Sequence, residues 1–429
     1  MANHSSSSKT KQKINKEMST IFIQIASYRD PQLIPTLDDC IAKAKNPDNL
    51  RFCIAWQYGP EDNIDKYKND SRFKILEIPY QEAKGACWAR NQIQQHYNGE
   101  TYTLQLDSHH RFVQNWDEEL ILMVEGLRKK GHKKPLLTSY ISSFDPDNDP
   151  AGRVTVPWKM DFDRFIPEGA VFFLPASIPN FEKLSEPIPA RFYSAHFCFA
   201  DGIFCKEVPH DPEYYFHGEE ISIAVRAFTW GYDLFHPHKI VAYHEYTRKG
   251  RTKQWDDDKE WGKRNEHCHL RNRKLFGMDN EKQDVDFGIY GFGPVRTLRD
   301  YEKYAGLSFK KRAVQKQTLD RLDPPNPQYA TEEEFEASFL KIFKHCIDVS
   351  YNDVPEKDYD FWAVAFHDEN DVTLYRKDAD ENDIKGYFND ADKYCKIWRE
   401  FQTETKPKYW VVWPHSKSKG WCEKIQRNL

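Results

Sequence analysis

The sequence of 429 residues has no long apolar run. Its longest apolar pieces, such as Ala170–Pro175 and Tyr409–Trp413, fall far short of the about 18 residues that a membrane-spanning helix needs. It also has no basic excess, because 62 Lys and Arg stand against 67 Asp and Glu, a formal net charge of −5. General nucleic-acid binders carry a basic excess or stripe. These two absences exclude a membrane-embedded protein and argue against a nucleic-acid partner.

Paired cysteines and a secretory signal are missing as well. None of the nine cysteines is spaced as CxxC, and a chain of this length does not need disulfide bonds to hold it together. We therefore expect reduced, mostly buried thiols in a cytoplasmic protein. Residues 1–18 are rich in Ser and Lys and contain no apolar core of a signal peptide, which predicts a disordered leader.

Aromatic residues are abundant, at 15% of the chain. Disordered chains are poor in aromatics, so most of this chain must fold. The Pro-rich stretch Asp323–Pro327 indicates a domain boundary near residue 325. We expect a large domain over residues 19–325 and a smaller, mostly β accessory domain over residues 326–429.

The large domain alternates strands with helices. Helical spacing of apolar residues follows the first strand and recurs between Ala83 and His96. This alternation predicts an α/β fold with a mainly parallel sheet and helices on both faces, whose ligands bind at the carboxyl ends of the strands. The predicted strands are Thr20–Ser27, Leu50–Tyr58, Phe73–Ile78 and Tyr102–Asp107.

The pattern becomes irregular between about residues 136 and 200, which is typical of functional loops or insertions. Beyond it, Arg191–Ile203 predicts a strand pair and Glu219–Trp230 a helix. The accessory domain carries short alternating or aromatic-rich runs that predict strands at Phe361–His367, Val372–Arg376, Tyr394–Phe401 and Tyr409–Pro414.

Asp107-Ser108-His109 closes the fourth strand. Side chains alternate along an extended chain, so Asp107 and His109 point to the same side. A carboxylate and an imidazole can together hold a divalent ion such as Mn²⁺. By itself this spacing is more typical of a capped strand end with a surface histidine than of a metal site.

Five short motifs occur around this pair in one order. Together they resemble glycosyltransferase family 60, which includes the enzymes that add GlcNAc to hydroxyproline of the Skp1 protein; the polypeptide GalNAc-transferases are more distantly similar. The resemblance covers residues 20–246 and implies a GT-A fold, a UDP-sugar donor, a divalent cation and retention of anomeric configuration. The motifs are Gly85–Asn91, Asp107–Phe112, Asn115–Asp117, Phe216–Glu220 and Tyr243–Arg248.

The resemblance also assigns the residues that bind the donor. Uridine would lie at the end of the first strand, where Tyr28 offers a ring face and Asp30 accepts a hydrogen bond. Arg29 and Asp30 could instead form a turn ion pair, Arg90 a surface salt bridge, and Arg248 a solvated surface group. The predicted donor-binding residues are Ser27, Tyr28, Arg29, Asp30, Arg90, Ser108 and Arg248.

The metal ligands expected from the resemblance are Asp107, His109 and a third histidine. His236, His238 and His244 are candidates, and His244 is preferred because it matches the family's histidine at that place. The ion, Mn²⁺ or Mg²⁺, would neutralise the diphosphate as UDP departs.

Glu219 and Glu220 complete the predicted catalytic residues, with Asp107. At least one of the two glutamates would bind a sugar hydroxyl or orient the acceptor, although acids at the start of a helix also favour its dipole. The resulting hypothesis is retaining transfer of GlcNAc from UDP-GlcNAc to a hydroxyl of a protein (hydroxyproline, Ser or Thr) or of a glycan. The alternative is a non-catalytic protein that binds nucleotide sugars or carbohydrate through its aromatic-rich C-terminal domain. The sequence leaves the oligomeric state open.

Overall fold

The computed structural model describes residues 19–388 and 393–429, so the leader predicted for residues 1–18 lies outside the described residues. The chain divides into two compact units. The first runs to Ala305 and includes Asp323–Asn326; the second comprises Gly306–Leu322 and Pro327–Leu429. Gly306–Leu322 belongs to the second unit because its strand residue Val314 accepts a hydrogen bond from the backbone N–H of Leu340 at 3.0 Å.

The first unit is built around one large sheet. Its strands are β1 (Ile21–Tyr28), β2 (Leu50–Tyr58), β3 (Phe73–Pro79), β4 (Tyr102–Asp107), β5 (His110–Phe112), β6 (Pro135–Thr138), β7 (Trp158–Phe165), β8 (Val171–Ser177), β9 (Ile188–Pro189), β10 (Phe197–Asp201), β11 (Asp233–His236) and β12 (Ala242–His244). Its helices are α1 (Leu33–Lys43), α2 (Asp65–Lys68), α3 (Ala86–Gln94), α4 (Trp116–Lys129), α5 (Phe204–Glu207), α6 (Glu219–Thr229), α7 (Gln254–Asp257), α8 (Trp261–Phe276) and α9 (Leu298–Ala305).

The large sheet has the strand order β3-β2-β1-β4-β10-β6-β11-β9. β3, β2, β1 and β4 run parallel, β10 lies antiparallel between β4 and β6, and β6 pairs in parallel with β11. The carboxyl ends of β1 and β4 are therefore adjacent, with Ala26 opposite Asp107.

Alternate residues of β1 face two separate apolar clusters. Ile23 and Ile25 pack with residues of α1 and α4 on one face of the sheet, whereas Phe22 packs with Ala89 and Ile93 of α3 on the other. The apolar run at the start of the chain forms a strand buried on both sides because helices cover both faces. The predicted fold class, a mainly parallel α/β sheet followed by a β-rich region, is confirmed.

Two expectations for the irregular region differ from the structure. Residues 191–203 contain β10 rather than a strand pair, because the preceding backbone bonds to side chains: Ser194 N–H donates to Thr138 Oγ1 at 2.8 Å and Ala195 N–H to Glu220 Oε1 at 2.9 Å. The stretch 136–200 also contains the antiparallel pair β7 and β8, which the loose apolar pattern did not indicate.

The second unit consists mainly of antiparallel strands. It contains β13 (Leu307–Ser308), β14 (Ala313–Val314), β15 (Lys341–Ser350), β16 (Tyr359–His367), β17 (Thr373–Arg376), β18 (Ala379–Asp380), β19 (Tyr394–Thr403), β20 (Tyr409–Ser416), β21 (Gly420–Trp421) and β22 (Ile425–Asn428), with helices α10 (Lys316–Leu319), α11 (Glu332–Ala337) and α12 (Glu381–Tyr387). Trp362 and Trp410 are buried in its core, whereas Trp398, Trp413 and Trp421 are exposed. The tail tryptophans thus divide between core and surface.

All nine cysteines are free, and seven of them are buried. In residues 19–388 and 393–429, the helices are too short or too polar to cross a membrane.

Candidate metal and donor site

Asp107, His109 and His244 converge at the carboxyl end of β4. Asp107 is the last residue of β4. The pairing of β12 with β5 places His244 opposite His110, and this brings His244 close to Asp107. The Oδ2 atom of Asp107 lies 3.6 Å from Nε2 of His109 and 3.4 Å from Nε2 of His244. One ligand atom from each of the three side chains lies within 4.8 Å of the others.

These three side chains fit a divalent transition-metal ion. Ligand atoms about 2.1 Å from a shared ion lie roughly 3 to 3.5 Å from one another, close to the two distances around Asp107 Oδ2. One carboxylate and two imidazoles suit Mn²⁺ better than Mg²⁺, which prefers oxygen ligands. The other ring nitrogen of His109 is held by Asp30, the arrangement usual for histidines that bind metals.

The two other candidate histidines lie elsewhere. Nδ1 of His236 is 2.7 Å from the carbonyl oxygen of Thr138, and its Nε2 is 3.4 Å from the backbone nitrogen of Met160. His238 is buried and belongs to none of the three-ligand clusters found among the described residues.

Arg90 joins the metal site to Glu219 through a buried ion-pair chain. Its Nη2 donates to Asp107 Oδ1 at 2.7 Å and its Nη1 to Glu219 Oε1 at 2.5 Å. Burial alone would raise the pKa of Asp107, but the His244 hydrogen bond and the Arg90 charge hold that pKa well below its usual range. Burial likewise opposes ionisation of Glu219, yet Arg90 and His210 lower its pKa to about 2. The Arg90 guanidinium is thus committed to two carboxylates, at the position where the sequence predicted a donor contact.

Glu219 and Glu220 begin α6, but they face different surroundings. Glu219 is 4% exposed and enclosed by Arg90 and His210. Glu220 is partly exposed and accepts hydrogen bonds from the Tyr140 hydroxyl at 2.8 Å and the Ala195 N–H at 2.9 Å. Burial of its carboxyl group raises the pKa of Glu220 to about 7, so it can exchange a proton near neutral pH.

The strand end predicted to receive uridine is contacted by α7. The Tyr28 hydroxyl donates to Asp257 Oδ2 at 2.6 Å, and Arg29 Nη1 lies 2.8 Å from the same oxygen. The guanidinium of Arg29 also stacks over the Tyr80 ring, 4.6 Å from its centroid. The Ser27 hydroxyl is buried and has no hydrogen-bond partner in the part of the chain that the structure describes.

Asp30 and Ser108 are buried together beneath His109. Ser108 Oγ donates to Asp30 Oδ2 at 2.6 Å, and the backbone N–H of Gln32 donates to Asp30 Oδ1 at 2.8 Å. The Asp30 side chain is only 3% exposed. Both residues were predicted to contact the donor, and the structure gives both of them internal partners.

The loop after β12 carries two arginines with different surroundings. Arg248, a predicted donor-binding residue, is exposed, and its guanidinium lies 5.5 Å from the ring centroid of Trp255. Arg251 was not predicted as a site residue from the sequence. Its side chain is only 11% exposed and reaches Asp30 in the site. Its Nη2 lies 2.9 Å from Glu245 Oε2 and its Nη1 3.3 Å from Asp30 Oδ2. A second arginine three positions after Arg248 was the one signal available for it.

His196 is another site residue that the sequence reading missed. Its ring stacks on His244 with centroids 4.1 Å apart and an interplanar angle of 15°. Burial lowers the pKa of both histidines well below the usual value, so the stacked rings are neutral. Neutral imidazole is the form that binds metal.

A second group of ligand-type side chains lies deeper in the first unit. Cys87, His210 and Glu219 are buried, and one ligand atom from each lies within 4.8 Å of the others. We call these three residues the inner cluster, and Asp107, His109 and His244 the outer cluster.

Comparison with known proteins identifies the class of molecule to which this sheet and outer cluster belong, a glycosyltransferase. The model of the family described as "Glycosyltransferase (GlcNAc)" matches residues 20–71 and 65–311, well over half of the chain, and the chain belongs to that family. The match includes all three residues of the outer cluster. A search of curated proteins found no match.

Solved structures give more distant similarities. A structure of GalNAc-T7 with UDP, GalNAc and Mn²⁺ is 12% identical, covers 61% of this chain and 48% of its own, and has a TM-score of 0.43. A structure of S. aureus TarS is 10% identical, covers 95% of this chain and 77% of its own, and has a TM-score of 0.36. A structure of TarS residues 1–349 with UDP-GlcNAc is 12% identical, covers 56% of this chain and 61% of its own, and has a TM-score of 0.35. The chain thus spans about half the length of the GalNAc-T7 chain.

Proposed function

We propose that this protein is a metal-dependent GT-A glycosyltransferase that moves GlcNAc from UDP-GlcNAc to a hydroxyl group with retention of configuration. The observation that carries the proposal is the outer cluster, which lies at the carboxyl edge of the sheet beside the end of β1. In α/β folds of this kind ligands bind at that edge. The family match supports glycosyl transfer and GlcNAc as the sugar.

Asp107, His109 and His244 would hold Mn²⁺, which when bound supplies positive charge for the departing diphosphate. Asp107 enters the reaction ionised, because Arg90 stabilises its carboxylate. Glu219 holds Arg90 from the other side, so it acts through Arg90 rather than by direct contact with the donor. Tyr28 and Arg29 offer a ring face and a cation at the end of β1, where the nucleotide would bind.

Glu220 is the better candidate of the two glutamates for contact with the sugar or the acceptor. The residue is partly exposed, and its carboxyl group accepts a hydrogen bond from the Tyr140 hydroxyl. Because its pKa is about 7, both forms of Glu220 are present near neutral pH: the ionised carboxylate, which only accepts hydrogen bonds, and the protonated carboxyl group, which can also donate one. We propose that it orients a hydroxyl group of the sugar or of the acceptor.

The acceptor class is a protein hydroxyl, on hydroxyproline, Ser or Thr, or a glycan hydroxyl. The free cysteines support a cytoplasmic location for such a reaction. The exposed pair Trp413 and Trp421, with ring centroids 4.4 Å apart, favours a second candidate, carbohydrate binding by the second unit without turnover.

A donor panel tests the proposal. UDP release is measured from UDP-GlcNAc, UDP-GalNAc, UDP-glucose and UDP-galactose, each with Mn²⁺ and with a chelator. We expect release from UDP-GlcNAc that requires Mn²⁺, because slow hydrolysis reports the donor even without an acceptor. Binding of sugars without release from any donor would favour the non-catalytic candidate.

A further inference from the structure

We propose that Asp30 is a positioning residue that presents Nε2 of His109 to the metal, and that it does not bind uridine. The inference rests on the proposed function, since it concerns the same metal site. It reverses the role that the sequence suggests for Asp30 at the end of β1.

The contacts of Asp30 leave no place for a nucleobase. Oδ2 accepts from Ser108 Oγ at 2.6 Å and lies 2.7 Å from His109 Nδ1, while Oδ1 accepts from the Gln32 N–H at 2.8 Å. Arg251 Nη1 approaches Oδ2 to 3.3 Å. Three of these four contacts are on Oδ2, and the side chain is only 3% exposed, so burial keeps a nucleobase from reaching the carboxylate.

The same contacts fix the proton on the His109 ring. Three donors surround Asp30, so its carboxylate can only accept, and Nδ1 of His109 must carry the proton that it shares with Oδ2. Nε2 then keeps its lone pair.

Arg251 lies against the same ring, with Nη1 2.9 Å from Nε2 and 2.5 Å from Nδ1 of His109. An arginine nitrogen can only donate, and because it approaches both ring nitrogens it does not distinguish them, so the Asp30 contact decides the tautomer. The lone pair lies on the nitrogen 3.6 Å from Asp107 Oδ2, which is the nitrogen that would bind the ion.

The test compares Mn²⁺ affinity with UDP affinity in the full-length protein. Asp30→Asn keeps the size of the side chain and removes its charge. We expect Mn²⁺ binding, followed by electron paramagnetic resonance, to weaken about 10- to 100-fold, and UDP binding without metal to stay unchanged. Asp117→Asn is the matched control, since Asp117 is also buried and accepts backbone N–H groups, from Lys45 and Asn46.

Unchanged Mn²⁺ affinity with weakened UDP binding would overturn the proposal and return Asp30 to the nucleotide site. If Asp30→Asn does not fold, ¹⁵N spectra of histidine-labelled wild-type protein decide, with His109 assigned from the His109→Gln spectrum. A proton on Nδ1 supports the proposal and a proton on Nε2 contradicts it. The spectra need no metal or donor, so their result is independent of the donor panel.

Discussion

The outer and inner clusters have similar geometry and different chemistry. Each brings three ligand-type side chains within 4.8 Å of one another, and Arg90 links them by bonding to Asp107 in one and Glu219 in the other. In the outer cluster two imidazole nitrogens face a carboxylate oxygen that is partly open to solvent.

In the inner cluster the carboxylate and the thiol are not available to bind a cation. Glu219 is neutralised by Arg90, and Nε2 of His210 is 2.6 Å from Gln105 Oε1. Burial raises the pKa of Cys87 well above the usual value, which keeps its thiol protonated, whereas metals bind the thiolate. Because Arg90 bonds to one carboxylate in each cluster, what separates them is the third group: a protonated thiol in the inner cluster and a second neutral imidazole in the outer one.

The largest expected effect comes from removing the residue that the two clusters share. Arg90→Met leaves two buried or partly buried carboxylates without their partner, which costs about 3–5 kcal/mol of stability. Urea unfolding at pH 7 measures it. The double variant Arg90→Met with Glu219→Gln should recover part of the loss, and a single variant as stable as wild type would show that Arg90 does not support either cluster.

A smaller effect separates the neighbouring glutamates of α6. Glu220 has a pKa of about 7 in the folded protein, above its ordinary value of 4.5, so the folded state binds more protons than the unfolded state between these pH values. Glu220 should therefore contribute a loss of on the order of 1–3 kcal/mol as pH rises from 5 to 7. Buried histidines such as His196 and His244, whose pKa values are lowered, change stability in the opposite direction, so the test is the difference in unfolding free energy between wild type and Glu220→Gln across this range. Glu219, with a pKa of about 2, contributes almost no slope in this window.

The smallest expected effect distinguishes the clusters directly. Cys87→Ala removes a ligand-type atom from the inner cluster, and we expect Mn²⁺ affinity to stay within about twofold of wild type, because the thiol is protonated and holds no ion. Isothermal titration measures it. A large loss of Mn²⁺ affinity would mean that the inner cluster binds the ion.

Local sequence patterns predicted the parts of the molecule that depend on local physics. β2 and β4 begin and end at the predicted residues, because each is rich in apolar, aromatic and β-branched residues and is flanked by polar or glycine residues. β4 ends on Asp107, where the structure also brings His109 and His244. The hairpin of β7 and β8 was missed, although the apolar run Ala170–Pro175 overlaps β8, because that run was not assigned to a strand.

The contacts that decide each residue's role could not be predicted from the sequence, because they join residues far apart in the chain. Glu219 and Arg90 form an ion pair although 129 positions separate them in the sequence, and 142 positions separate Arg251 from His109, which it contacts. Asp30 reads equally well as a nucleotide contact or as a partner for His109, since either role needs a carboxylate at the end of β1. Only the three-dimensional arrangement shows which atoms are already bonded.

The most direct test of the account is a Mn²⁺ titration of UDP release from UDP-GlcNAc by wild-type protein and by Asp107→Asn, with Asp117→Asn as the control for losing a buried carboxylate. We expect release by the wild type and the control to rise with Mn²⁺, and release by Asp107→Asn to fall at least 100-fold with no response to Mn²⁺, as expected when a metal ligand is lost. Metal-independent release by Asp107→Asn at the wild-type rate would contradict the proposed role of the outer cluster.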